Sequence, residues 1–167
     1  VPPGSGSPAL GDLDGDGDLD LVVAGAANGS LTLFLNSGNA RLPAFAGGSG
    51  VALSGVDVGG GAGDPRTVAL ADLDGDGDLD AVVGAQGGGF AFFENTGTAT
   101  AFAFVGRAGA ANPFDGFDVG DQSAAILGDL DRDGDLDLVS GNAAGRFVVF
   151  ENTGRATGPA FAIRAGA

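Results

Sequence analysis

Residues 12–20 read DLDGDGDLD, residues 72–80 repeat them letter for letter, and residues 129–137 return as DLDRDGDLD. Each stretch sets carboxylates at positions 1, 3, 5, 7 and 9, with glycine at position 6. Five carboxylates in nine residues repel one another by a few kcal/mol per close pair at an effective dielectric of about 20. A hard divalent cation that takes oxygen ligands removes this repulsion, and calcium suits the pattern. Three calcium sites are therefore expected, one in each loop.

Working outward, the same period governs the rest of the chain. The loops begin 60 and then 57 residues apart, at Asp12, Asp72 and Asp129. Asn36, Asn95 and Asn152 follow these aspartates by 24, 23 and 23 residues, and each opens an N-x-G turn. Nine residues beyond each asparagine stands a phenylalanine: Phe45, Phe104 and Phe161. Spacing shared by three copies marks a repeat protein, and it outweighs the suggestion of disorder carried by 34 glycines and 7 prolines.

Within a unit the apolar residues come in short, valine-rich bursts between glycine turns, without a sustained helical period. The class is all-β. One burst enters the acidic loop (residues 8–10, 68–71 and 125–127), and a second leaves it (19–24, 79–84 and 136–140). A third follows tight turns at 28–29, 87–89 and 144–145 and occupies 30–35, 90–94 and 146–151, and a fourth centres on Phe45, Phe104 and Phe161. The segments GVDVG (55–59) and GFDVG (116–120) are expected to be plain turns between units. Four short strands per unit describe a propeller blade. The units are set at residues 1–50, 51–110 and 111–167.

The loops hold 15 of the 22 acidic residues. Outside them seven acids face six arginines, so the net charge of -15 is concentrated in the loops, and three divalent ions would bring it to -9. A chain with no lysine and no basic cluster has no electrostatic footprint for nucleic acid and is repelled by anionic lipid. Its apolar runs fall far short of the roughly 20 residues that span a bilayer. With no His, Cys, Lys or Tyr it has no usual nucleophile or general base besides carboxylate and hydroxyl, and it is read as a non-enzyme. Paired aspartates of the glycosidase kind need a sheltered apolar site for the acid, which a repeated cation loop does not resemble. An EF-hand needs a bidentate Glu at position 12, where Val23, Val83 and Ser140 stand.

The DxDxDGxxD loops, the strands that follow them, the FENTG segments at 93–97 and 150–154 and the terminal phenylalanine of each unit together resemble the FG-GAP/VCBS repeat family. This is the blade type of the integrin alpha-subunit head and of many bacterial and algal surface proteins. The resemblance implies a β-propeller that holds calcium in the turn between the first and second strands of each blade. The implied ligands in the first repeat are the side chains of Asp12, Asp14, Asp16 and Asp20 with the backbone carbonyl of Asp18. In the second they are Asp72, Asp74, Asp76 and Asp80 with the carbonyl of Asp78, and in the third Asp129, Asp131, Asp133 and Asp137 with that of Asp135. Arg132 replaces a position-4 glycine that supplies no ligand, so it is expected to point outward and leave its site little weakened.

Three blades do not close a ring, since propellers have about four to eight. The ring is expected to be completed by self-association of the chain or by neighbouring blades of a longer protein. The chain begins at Val1 with no Met and no charged-then-apolar leader, and is expected to be a mature form, a fragment or an excised piece. Weak calcium loops suit places where calcium is plentiful, so the protein is expected outside the cell or on its surface. Asn28-Gly29-Ser30 matches the glycosylation acceptor pattern, which NG turns also produce. The expected role is a structural or adhesion module, its protein or glycan ligand unknown. A calcium-dependent lectin is the alternative, disfavoured by the lack of Trp and Tyr for stacking sugars. The twelve phenylalanines are expected to be core, and Glu94 and Glu151 to face solvent.

Overall fold

A computed structural model describes residues 7–24, 31–45, 51–53, 67–98 and 100–164. The strands are β1 (Pro8–Gly11), β2 (Asp20–Ala24), β3 (Leu31–Phe34), β4 (Val51–Leu53), β5 (Thr67–Ala71), β6 (Asp80–Gly84), β7 (Phe90–Asn95), β8 (Phe104–Arg107), β9 (Ala124–Gly128), β10 (Asp137–Gly141), β11 (Phe147–Asn152) and β12 (Phe161–Ile163). They form three separate four-stranded sheets, β1 to β4, β5 to β8 and β9 to β12, each with its strands adjacent in chain order. Every pairing is antiparallel. The one helical element among the described residues is a 3-10 turn, Gly109–Ala111, and no helix there is long and apolar enough to cross a membrane.

The burst pattern places the strands correctly except for the fourth of the first sheet. Phe45 makes only an isolated bridge to Asn36. Continuous pairing resumes at Val51–Leu53, opposite Leu31, Thr32 and Leu33. The sequence between, AGGSG, has little strand propensity, whereas Phe104 runs straight on through Val105. The first sheet therefore takes a strand from beyond residue 50. The turn at 28–29 with its glycosylation acceptor, the 55–59 segment and Val1 lie outside the described residues.

The second sheet is covered on both faces. Strand β6 is buried throughout, and its period-two alternation sends side chains in opposite directions. Ala81 and Val83, with Ala91 and Phe93 of β7, cluster with Leu13, Val22, Leu31 and Leu33 of the first sheet. Val82, Phe90 and Phe92 cluster with Leu138 and Phe150 of the third. Complete burial of side chains this size contributes roughly 1.5–3 kcal/mol each. Aromatic packing adds to it at the second joint, where Phe114 lies 4.6 Å from Phe161 and Phe117 4.7 Å from Phe150, centroid to centroid. Most phenylalanines are core or half-buried; Phe45 and Phe147, on the two outer sheets, are exposed. The sheets approach one another through their first strands, β1 against β5 and β5 against β9.

The GFDVG segment and the residues flanking it do more than turn. Phe114 and Val119 are buried in the second cluster. The Val119 N–H donates to the Gly88 carbonyl at 3.1 Å, and the Asn112 side-chain amide donates to the Phe90 carbonyl, also at 3.1 Å. Ser123 Oγ accepts the Ala85 N–H at 2.8 Å and donates to the Gly89 carbonyl at 2.7 Å. The connection into the third sheet is thus stitched to the β6–β7 hairpin. Glu94 is not a plain solvent charge either: it receives a bidentate pair of bonds from Arg107, at 2.9 and 2.8 Å, and both side chains are half-buried.

Candidate metal centres

Each acidic loop joins the first strand of a sheet to the second, and its path is set by its own side chains. Asp12 Oδ1 accepts the Gly15 N–H at 2.8 Å and its Oδ2 the Gly17 N–H at 3.0 Å; Asp72 repeats this with Gly75 and Gly77, at 2.7 and 3.0 Å. Asp14 and Asp16 each accept the N–H two residues on, as do Asp74 and Asp76, and Asp131 and Asp133. Wrapping the backbone so tightly requires left-handed residues at positions 4 and 6. Gly15 and Gly17 have φ of 72° and 88°, and Gly75 and Gly77 of 76° and 95°. Arg132 keeps the same conformation, φ 69°, without being glycine.

The ninth aspartate has a second task. Asp80 Oδ2 accepts the Leu73 N–H at 3.0 Å and its Oδ1 the Asn95 N–H at 2.8 Å. Asp20 does the same for Leu13 and Asn36, and Asp137 for Leu130 and Asn152. All three carboxylates are buried. Each ties its loop to the end of the sheet's third strand or to the residues just past it. The buried asparagine then caps the next turn: Asn95 Oδ1 accepts from Gly97 and Ala103, at 3.2 and 2.7 Å. Asn36 and Asn152 act alike. Sequence reading found this asparagine only as the start of a turn; its fixed distance of 15 or 16 residues from the ninth aspartate was the signal of a direct bond.

Carboxylate oxygens converge in each loop. One oxygen from each of Asp12, Asp14 and Asp20 lies within 4.8 Å of the others, as do those of Asp72, Asp74 and Asp80, and of Asp129, Asp131 and Asp133. Two oxygens that each sit about 2.4 Å from one calcium are at most about 4.8 Å apart, so the donor sets fit that ion. Of the other expected side-chain ligands, Asp16, Asp76 and Asp137 stand outside these trios. At position 7, where the resemblance assigns only a backbone carbonyl, Asp78 and Asp135 are buried, and Asp135 Oδ1 has no hydrogen-bond partner among the described residues.

The loops hold their charge against resistance. Burial, with neighbouring loop carboxylates adding to it, pushes the Asp14, Asp74, Asp78 and Asp135 carboxyls above their ordinary range. Burial pushes Asp80 up to about 7, against the lowering pull of the N–H groups of Asn95 and Leu73. A divalent cation among these oxygens offsets the desolvation and the repulsion together.

The family model for FG-GAP-like repeats matches residues 12–83 and again residues 72–140. Both matches open on the first aspartate of an acidic loop and run through the loop that follows. No curated protein matches the chain in sequence.

Proposed function

The chain belongs to the FG-GAP-like repeat family, and on that footing we propose that it is a calcium-stabilised segment of a β-propeller. It serves as a structural or adhesion module of an extracellular or cell-surface protein. Each sheet is one blade, in units 1–50, 51–110 and 111–167, with the fourth strand of the first blade carried past residue 50. The approach of the sheets through β1, β5 and β9 supports this reading, because blades meet at their innermost strands around an axis.

The observation that carries the calcium assignment is the triple convergence of carboxylate oxygens within one coordination sphere. In the first site Asp12, Asp14, Asp16 and Asp20 would hold the ion with the Asp18 carbonyl. Asp72, Asp74, Asp76, Asp80 and Asp78 would do so in the second, and Asp129, Asp131, Asp133, Asp137 and Asp135 in the third. Bound there, calcium neutralises the loop and fixes the hairpin between the first two strands. The chain holds no His, Cys, Lys or Tyr, which leaves carboxylates and hydroxyls as its candidate nucleophiles.

Calcium titration by calorimetry should find three ions per chain. At ten times the dissociation constant each site adds about 1.4 kcal/mol, hence about 4 kcal/mol for three. For a chain of this size that is on the order of 10 °C in melting temperature. Thermal unfolding unchanged by EDTA would end the proposal.

A further inference from the structure

The two joints between sheets share one construction. Leu13 and Leu73, at position 2 of their loops, are each 2 % exposed. Leu13 sits in the cluster that Leu70, Leu79, Phe102 and Phe104 of the second sheet pack against. Leu73 sits in the one against which Leu127, Leu136 and Phe161 of the third pack. The hollows are equivalent by register. Leu70 pairs with Ala81, and Leu127 with Leu138, as Leu10 pairs with Leu21. Leu79, Leu136 and Leu19 share loop position 8. Phe104, Phe161 and Phe45 each lie opposite the repeated asparagine. At each joint the position-2 leucine of one sheet and a Leu-Leu-Phe set on the next thus belong to one cluster, as a knob and its hollow.

At the two ends of the stack the same parts occur unmatched. Leu130, position 2 of the third loop, is 50 % exposed. Beside it on the outer face of the third sheet stand exposed Ile126 and Phe147, the latter in the register at which Phe90 of the second sheet is buried. On the first sheet Leu10, Leu19 and Phe45 are 57 %, 52 % and 38 % exposed, and with Pro43 they line a cavity of about 250 Å³. Among the described residues, one end carries a knob without a hollow, and the other a hollow without a knob.

The rim of the joint would bring charges of both signs together. At the second joint Thr157, Gly158 and Pro159 line a groove with Asp74 and Glu94. The bridges Arg155 to Gly158 and Asn39 to Leu42 make Arg41 the counterpart of Thr157. Asp131 and Glu151 are the counterparts of Asp74 and Glu94 on the third sheet. Joining the two ends would set Arg41, the only basic residue before Arg66, near those acids but also beside Arg132, and Glu151 already has Arg164 at 3.7 Å, so the apolar match and not charge carries the contact. The rim differs at one place: a Cβ on Gly75 would lie 2.9 Å from Thr157 Cγ2, and the third loop has Arg132 there. The turn carrying Arg41 must shift to admit that side chain, so this joint is looser at its rim than the internal ones.

We propose that a second copy of this chain docks head to tail on the first, Leu130 of one copy entering the Leu10, Leu19 and Phe45 cavity of the next. The proposal rests on the repeat architecture given under Proposed function. The contact is heterologous, so it closes into a ring or runs on as an open chain. Two copies bring six sheets together, inside the roughly four to eight of closed propellers.

Sedimentation velocity of the 167-residue chain in calcium should show a weight-average mass that rises with concentration. Leu130→Asp and Leu10→Asp, both at exposed positions, should each weaken association at least about tenfold, the cost of placing a carboxylate in an apolar joint. Mixed together, these two variants should form a 1:1 dimer and nothing larger, because one intact knob and one intact hollow remain between them. A wild-type chain that stays monomeric, variants that associate as the wild type does, or a mixture that fails to pair overturns the proposal. The calcium-dependent melting of each variant is read alongside. If calcium raises the melting temperature and the chain is still monomeric, only the docking fails; if calcium has no effect, the underlying calcium reading fails.

Discussion

Replacing Asp80 with asparagine separates the two tasks of the ninth loop residue, tying backbone and holding an ion. The buried carboxylate accepts N–H bonds from Leu73 at 3.0 Å and from Asn95 at 2.8 Å, one on each oxygen. An amide has a single oxygen, so whichever way Asn turns, one buried N–H meets an NH2 group. An unmet buried donor costs about 1–3 kcal/mol. The substitution also removes a carboxyl that burial pushes up to about 7, which returns part of that cost at neutral pH. The net loss in EDTA is then about 1–2 kcal/mol, or roughly 2–8 °C in melting temperature for a chain of this length. With calcium in excess a further loss appears, about 1.4 kcal/mol for an ion at ten times its dissociation constant, so calcium's stabilising effect falls by about a third. Circular dichroism melts of Asp80→Asn and wild type at pH 7, with EDTA and with calcium, measure both terms. Coincident melts in EDTA would falsify the backbone tie, and an undiminished calcium effect would remove Asp80 from the site.

The loop carboxyls that burial raises bind protons more tightly in the folded chain than in the unfolded one. Their favourable contribution is complete below the ordinary aspartate range and is lost as pH rises through the folded values, about 7 for Asp80. The calcium-free protein should therefore melt higher at pH 5 than at pH 8, and excess calcium, which competes with protons for the same oxygens, should shrink or invert the difference; melts in EDTA that rise from pH 5 to pH 8 contradict this. Arg132→Gly relieves a left-handed residue at φ 69° that its two counterpart loops fill with glycine. It should stabilise the protein by roughly 0.5–1 kcal/mol after the added flexibility of the unfolded chain is counted, and urea unfolding would expose the error if the midpoint fell.

How much was legible in the sequence depended on range. The acidic loops, the strands on either side and the glycine turns were readable because each is fixed by neighbours a few residues away. The fourth strand of the first sheet was not, since Phe45 holds the right spacing but the pairing that makes a strand falls on Val51–Leu53. The ninth aspartate read as a ligand, while its bonds to Leu73 and Asn95 became visible only when strands β6 and β7 were side by side. Glu94 read as a solvent charge until β8 brought Arg107 beside it.

By itself the sequence determined the all-β class, the period of the repeat and the oxygen chemistry of the loops. Carboxylate spacing and glycine placement act through contacts within nine residues, and no distant partner is needed to impose them. Tertiary structure alone decided the fate of identical local text. Leu13, Leu73 and Leu130 each stand in the tripeptide Asp-Leu-Asp, yet the first two are core and the third is surface. The hydrophobic effect acts on area removed from water, and whether a neighbouring sheet removes it is a property of the stack.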